Sequence, residues 1–232
     1  MAEPAIHLIA HTTFDTALAE KLTGWTADGA DGGQALAEFA GRTCYQSWKK
    51  PNPLTASNAG YLNNILAQQH ESVLEHATAT FYVEGVSRSL LLELERHRHL
   101  SFSVLSQRYV DESEARMVVP PALAGRAGLA AQLVQAGTVA RNVYAMLVAE
   151  LEREGVPRKQ ARETARAVLP NMTETRFVVS GNLRAWRDVL RRRWHVAADA
   201  EIRRWSGMVV EELRVLAPHV FQDFPSEPFG TV

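Results

Sequence analysis

Leu129, Leu133, Ala136, Ala140, Val143, Leu147 and Leu151 recur every third or fourth position, the spacing that gives an α-helix one apolar stripe. Gly155 follows the end of the series and suits a helix C-terminus. The pattern predicts a long helix from Leu129 to Gly155. Helical spacing also covers 54–69, 86–97, 158–169 and 186–216, with Pro170 and Pro218 ending the last two. Between them, "AIHLIA", "TATFYVE", "SFSVLSQRYV", "RMVVP" and "TRFVVSG" are short, rich in β-branched or aromatic residues and partly alternating, as half-buried strands are. These elements predict an α+β fold with one sheet. No repeat, Gly/Ser linker or low-complexity block divides the chain, so the reading is a single domain over 1–232 with a long helical insertion.

Composition narrows the class. At 232 residues, 46% hydrophobic and 22% charged, the chain can bury a sizeable core. No run of 18 apolar residues occurs, and the N-terminus lacks a basic region followed by an apolar one, so a cytoplasmic protein without a membrane partner is expected. The one cysteine, Cys44, excludes a disulfide framework or thiolate cluster and is expected in the core. GxGxxG and GxxxxGK[ST] are both absent, so any nucleotide is held by other means.

Charge changes the picture most. The 25 Lys and Arg nearly balance 26 Asp and Glu, for a net charge of -1, yet "ERHRHLSFSVLSQRY" holds three arginines and two histidines against one acid. Ser101, Ser103, Ser106 and Gln107 lie among those arginines and can orient a polar ligand, while guanidinium groups pair with phosphate or carboxylate. The stretch reads as an anion site. Binding nucleic acid would need a basic excess over a whole face, so a small phosphorylated ligand fits better. Arg158, Arg162 and Arg166 share one helix face and read as a solvated face; Arg184, Arg187, Arg191, Arg192 and Arg193 form a further group. A metal at His76, His97 and His99 is disfavoured because neighbouring arginines repel a dication and no carboxylate lies between.

"RHRHLSFSVLSQR" has the form RHR, seven residues, Ser, one residue, Arg, and so resembles the signature of the flavin-dependent thymidylate synthases, the ThyX family. "ADGGQALAEFAGRTCYQSW", "KPNPLTASNAGYL", "SVLEHATATFYVEGVSRS", "RKQARETARAVLPNMTETRFVVSGNLRAWR" and "AEIRR" agree in order and distance, covering nearly the whole chain. The resemblance implies a homotetramer of α+β subunits, each with a central mixed or antiparallel sheet, whose active sites lie at subunit junctions. It further implies FAD, with NADPH as reductant, methylenetetrahydrofolate as carbon donor, and transfer of that carbon to C5 of dUMP without an enzymic cysteine. By position, Arg96, His97 and Arg98 match the RHR that meets FAD. Ser72 matches another FAD contact, and His76 matches the histidine that in the family lies beside the flavin. Asn182 and Arg184 match a flavin-contacting segment from a neighbouring subunit. Ser106, Gln107 and Arg108, with Glu93, Arg88 and Arg166, match residues around the nucleotide. Arg193 aligns with the arginine at the uracil edge, where it can stabilise charge on N3 and O4 as C5 becomes nucleophilic.

Two positions depart from the pattern, and "RRRWHVAADAEIRR" replaces a stretch that in relatives reads closer to "RxxxHAxxEIR". Val104 stands where the motif usually carries Glu or Gln, and Asp188 where relatives commonly have a flavin-contacting histidine. A lost hydrogen bond at Val104 changes the net energy by about 0.5–1.5 kcal/mol. Arg187, Arg191 or Arg192 can neutralise Asp188. These departures leave a UMP or dual UMP/dUMP methylase as one alternative and a non-catalytic flavin- or nucleotide-binding paralogue as another. The "FPSEPFGTV" tail is expected to be poorly ordered or tied to an interface.

Overall fold

The structure, a computed structural model, describes residues 2–230. Its elements are β1 (Ala5–His11), α1 (Thr16–Thr23), α2 (Gly32–Tyr45), α3 (Asn58–Ala67), β2 (Thr78–Ser87), α4 (Arg88–Leu94) and β3 (Ser101–Val104), then α5 (Ala127–Arg153), α6 (Arg158–Ala165), β4 (Glu174–Asn182), α7 (Leu183–Arg193) and α8 (Ala200–Leu216). Short 3-10 turns lie at Pro53–Thr55, Glu71–His76, Pro121–Leu123 and Arg166–Val168. The strands form one antiparallel sheet in the order β1-β2-β4-β3, so the fold is α+β. Burial alternates along β2 and β4, with Ala79, Phe81 and Val83 of one strand and Phe177 and Val179 of the other turned inward.

Two compact units divide the chain. The first comprises the residues up to Ile6, Tyr82–His97 and Phe102–Val178. Its helical core is α5 against α6, where Tyr144, Val148, Ala161 and Ala165 are enclosed by Leu147, Leu151, Val156, Val168 and Leu169. Helix α5 ends at Arg153, and Gly155 takes the positive φ of 87° that an L side chain resists. Of its 27 residues only Gly137, Tyr144 and Val148 are buried, leaving Leu129, Val139 and Met146 more than half exposed.

The second unit comprises His7–Phe81, Arg98–Ser101 and the chain from Val179 onward. Trp25, Trp186 and Trp205 are fully buried here. Trp186 meets Phe81 edge-on at 5.3 Å, and its indole N–H donates to the Ala79 carbonyl at 3.0 Å. Glu38, also fully buried, accepts from Arg42 Nε at 2.6 Å, Asn58 Nδ2 at 2.8 Å and Trp25 Nε1 at 3.3 Å. That set of donors makes a buried carboxylate tolerable.

Several boundaries differ from the sequence reading. The strand expected over 101–110 stops at Val104, because the Ser106 carbonyl accepts from the Tyr109 and Val110 amides and turns the chain. "RMVVP" supplies only an isolated Met117–Thr173 bridge, and the prolines that follow have no N–H to extend a ladder. The helix expected over 86–97 begins at Arg88, since β2 continues to Ser87, whose hydroxyl caps Leu90 N at 3.1 Å. Likewise the 54–69 segment opens with a 3-10 turn, and α3 starts after a Ser57 cap.

The single helix expected over 186–216 is two helices. Phe229 pairs with Trp194 O and Val196 N at 2.9 Å each, and Asp199 caps α8 by accepting from Glu201 N at 2.8 Å. Helices α1 and α2 had no counterpart in the sequence reading. Cys44, expected in the core, is exposed: the buried residues of α2 end at Arg42. The C-terminal tail, too, is tied to its own chain, with Phe224 buried and Phe229 packed edge-on against it at 5.3 Å. Thr231 and Val232 lie outside the described residues. Among the described residues no helix is long and apolar enough to cross a membrane.

Candidate active site

In the second unit, a cleft of about 510 Å³ is lined by Glu71, Glu75, His99, Asn182, Arg184, Ala185, Asp188, Arg191 and Arg192. Helix α7 builds one wall because 184, 188, 191 and 192 recur at helical spacing. Asn182 starts that helix, its Oδ1 accepting from Ala185 N at 2.8 Å. Its Nδ2 takes no part in that cap and is left to donate to a ligand. The facing 3-10 turn contributes Glu71 and Glu75, and Arg184 pairs with Glu75. Asp188 is neutralised by Arg192, at 2.9 and 3.1 Å, one helical turn on.

Arg187 lies behind this wall and is fully buried. Its Nη1 and Nη2 each donate to the Asp223 carboxylate at 2.7 Å, and Nη1 also donates to the Val220 carbonyl. The guanidinium sits over the Phe221 and Phe224 rings at 5.9 and 5.2 Å. Glu71 joins the network, 3.0 Å from Arg191 Nη1 and 3.6 Å from Arg187 Nε. Burial works to raise the Asp223 pKa, but Arg187 outweighs it and holds the carboxyl below its usual value.

Ser72 does not line this cleft; it lies in an adjoining cavity of about 320 Å³ with Tyr61, Cys44 and Arg184. His76 ends the 3-10 turn and is exposed, as is Arg98. Arg193 is the last residue of α7 and half-buried.

Other sequence-selected residues fall in the first unit: Arg88, Glu93, Arg96, His97, Val104, Ser106, Gln107, Arg108 and Arg166. Arg88 opens α4, and its Nη1 is buried without a hydrogen-bond partner. Gln107, 7% exposed, has an equally unpartnered Nε2. Arg108 pairs with Glu163 at 2.8 Å. In the α6 row, Arg158 is exposed and pairs with Glu152, as a solvated face predicts, whereas the Arg162 side chain is only 15% exposed, donating to the Tyr109 carbonyl and pairing with Asp111, against that reading. Arg166 is exposed on the 3-10 turn that follows. Val104 is half-buried at the end of β3. Glu112, which the sequence reading passed over, is 3% exposed. Burial pushes its carboxyl up to about 7, against the opposing charge of Arg88.

Residues 27–219 match the family described as thymidylate synthase complementing protein. The chain belongs to this family. Among its relatives, the probable flavin-dependent thymidylate synthase of Mycobacterium phage D29 is 56% identical over 200 residues, covering 84% of this chain and 85% of the phage protein. The flavin-dependent thymidylate synthase of Mycobacterium tuberculosis is 53% identical over 234 aligned positions, covering 97% and 92%. A phage L5 protein, also named a probable flavin-dependent thymidylate synthase, is 55% identical over 200 residues. Within the family match lie both the RHR stretch and α7, whereas Asp223, the anchor of Arg187, lies four residues past its end.

Proposed function

We propose that this protein methylates C5 of dUMP to give dTMP, using FAD, a carbon from methylenetetrahydrofolate and reducing equivalents from NADPH. One observation carries the reading: 53% identity to a flavin-dependent thymidylate synthase over 97% of the chain. The donor set of the 510 Å³ cleft suits a dinucleotide cofactor, because Arg184, Arg191 and Arg192 can turn from carboxylates to a pyrophosphate while His99 and Asn182 Nδ2 offer further donors. Held there and reduced by NADPH, the flavin would supply the hydride that completes the methyl group.

In this reading Asn182, Arg184 and Asp188 hold the cofactor from α7, with Ser72 and His76 from the Glu71–His76 turn and Arg96, His97 and Arg98 from the RHR stretch. Arg88, Glu93, Ser106, Gln107, Arg108 and Arg166 hold the nucleotide. The unpartnered donors of Arg88 and Gln107 support a phosphate there, since a buried donor without an acceptor costs about 1–3 kcal/mol. Arg193 is the catalytic group, holding positive charge at the uracil edge as C5 becomes nucleophilic. The protein works in the cytoplasm as a homotetramer with shared sites; the exposed Leu129, Val139 and Met146 of α5 support burial of that helix against another copy.

Val104 supports a second substrate, UMP. Its apolar side chain offers no hydrogen bond at a position next to the phosphate-binding segment and leaves room for a 2'-hydroxyl. The test is product analysis by liquid chromatography and mass spectrometry with dUMP and UMP in equal amounts. dTMP as product supports the main reading, a methylated UMP the second, and neither product overturns both. Replacing Val104 with Gln should suppress UMP use, and unchanged selectivity would refute the role given to Val104.

A further inference from the structure

The Glu112 amide donates to Tyr144 Oη at 3.3 Å, and the residue as a whole is only 3% exposed. Its Oε1 has no hydrogen-bond partner among the described residues. The charged and titratable groups around that carboxyl are Arg88 from the start of α4, Asp111 beside it in the loop, Glu174 and Arg176 from β4, and Tyr144 from α5. Arg116 binds Glu174 through two hydrogen bonds of 2.6 and 2.7 Å, and Arg162 binds Asp111 at 3.1 Å, so both acids already have cationic partners. Arg88 is the largest opposing charge on Glu112, yet Arg88 Nη1 and Glu112 Oε1 are each left without a hydrogen bond.

Such an arrangement is costly for an ionised pair. It becomes coherent when a phosphate lies on Arg88. The guanidinium then donates to a phosphate oxygen, and a carboxylate close by would repel that anion. A protonated carboxyl does not repel it and has an O–H to donate. We propose that Glu112 is a positioning residue of the nucleotide pocket that takes up a proton from solvent onto its carboxyl when the phosphate binds Arg88 and returns it on release. The proposal rests on the assignment of Arg88 to the nucleotide. Burial, working against Arg88, has already brought the carboxyl up to about 7, so protonation is accessible near neutrality.

Calorimetric titration of the FAD-loaded protein with dUMP at about pH 8, in buffers of different ionisation enthalpy, counts protons taken up per nucleotide. Uptake should approach one, and affinity should fall by up to about tenfold per pH unit above 7. Glu112→Gln, which keeps the neutral shape, should bind dUMP with no uptake at that pH and lose the steep dependence. Glu112→Asp, shorter but ionisable, should retain uptake and serves if the glutamine variant fails to fold. A parent protein that binds dUMP without proton uptake overturns the inference alone, as does unchanged uptake in a folded Glu112→Gln protein. A parent that binds no dUMP overturns the functional reading and this inference with it.

Discussion

Removing the Asp223 carboxylate with Asp223→Ala leaves the Arg187 guanidinium fully buried with only the Val220 carbonyl and the more distant Glu71 to face it. Breaking a buried ion pair from one side costs about 3–5 kcal/mol. The Asp223 side chain is 38% exposed, and water can reach the space it leaves, so the lower end applies, about 3 kcal/mol. For a chain of this size each kcal/mol moves the midpoint by roughly 2–4 °C, giving a fall of about 6–12 °C. Arg187→Met should cost less, because the charge leaves along with its partner and the thioether can pack on Phe221 and Phe224. Differential scanning calorimetry at pH 7 measures both. The penalty of Asp223→Ala should also shrink in acid. Because Arg187 holds the folded-state pKa below the unfolded value, the carboxylate's contribution is complete above about pH 4 and lost as pH falls through the folded value. A fall below 2 °C, or Arg187→Met proving the more damaging change, would refute the picture of a charge neutralised chiefly by Asp223. Asp223→Ala should also weaken flavin binding, since Arg191 loses one of its two carboxylate partners and keeps only Glu71.

Gly207→Ala places a Cβ 2.6 Å from Trp194 Cζ3, and thermal melting should show a loss of about 1–3 kcal/mol as the indole is displaced. Glu112→Gln should melt above the parent at pH 8 and level with it near pH 4. The folded-state pKa of about 7 lies above the unfolded value of 4.5, so the parent binds more protons when folded and loses stability as pH rises through that window. Arg193→Ala should lower kcat by about 10²–10³ with a smaller change in the dUMP KM, read by steady-state kinetics. An effect confined to KM would make Arg193 a binding group only.

The sequence made α5 legible because its apolar residues are large and regularly spaced, and it placed β1, β2 and β4 through β-branched and aromatic alternation. Helix α2 stayed hidden because Gly33, Ala35, Ala37 and Gly41 bury it without a large apolar series. The break at Trp194 was invisible for another reason: its backbone is satisfied by Phe229, some 35 residues away in sequence, while local spacing still reads as helix. Charge alone pointed to the arginines of the RHR stretch, but which arginines are committed required coordinates. Arg187 looks like its neighbours in sequence and is the one sealed in the core. Glu112 gave no signal either, since one glutamate among Asp111, Ser113 and Glu114 reads as a solvated loop, and only its burial beside Arg88 distinguishes it.

The central claim is that a folate carbon becomes the methyl group of dTMP on this protein. The most direct measurement supplies FAD, NADPH, dUMP and methylenetetrahydrofolate carrying a carbon-13 methylene, and follows the nucleotide by mass spectrometry. The expected product is dTMP with the label in its C5 methyl, formed only when flavin and reductant are both present. Unchanged dUMP with all components present, or labelled product formed without flavin, would contradict it.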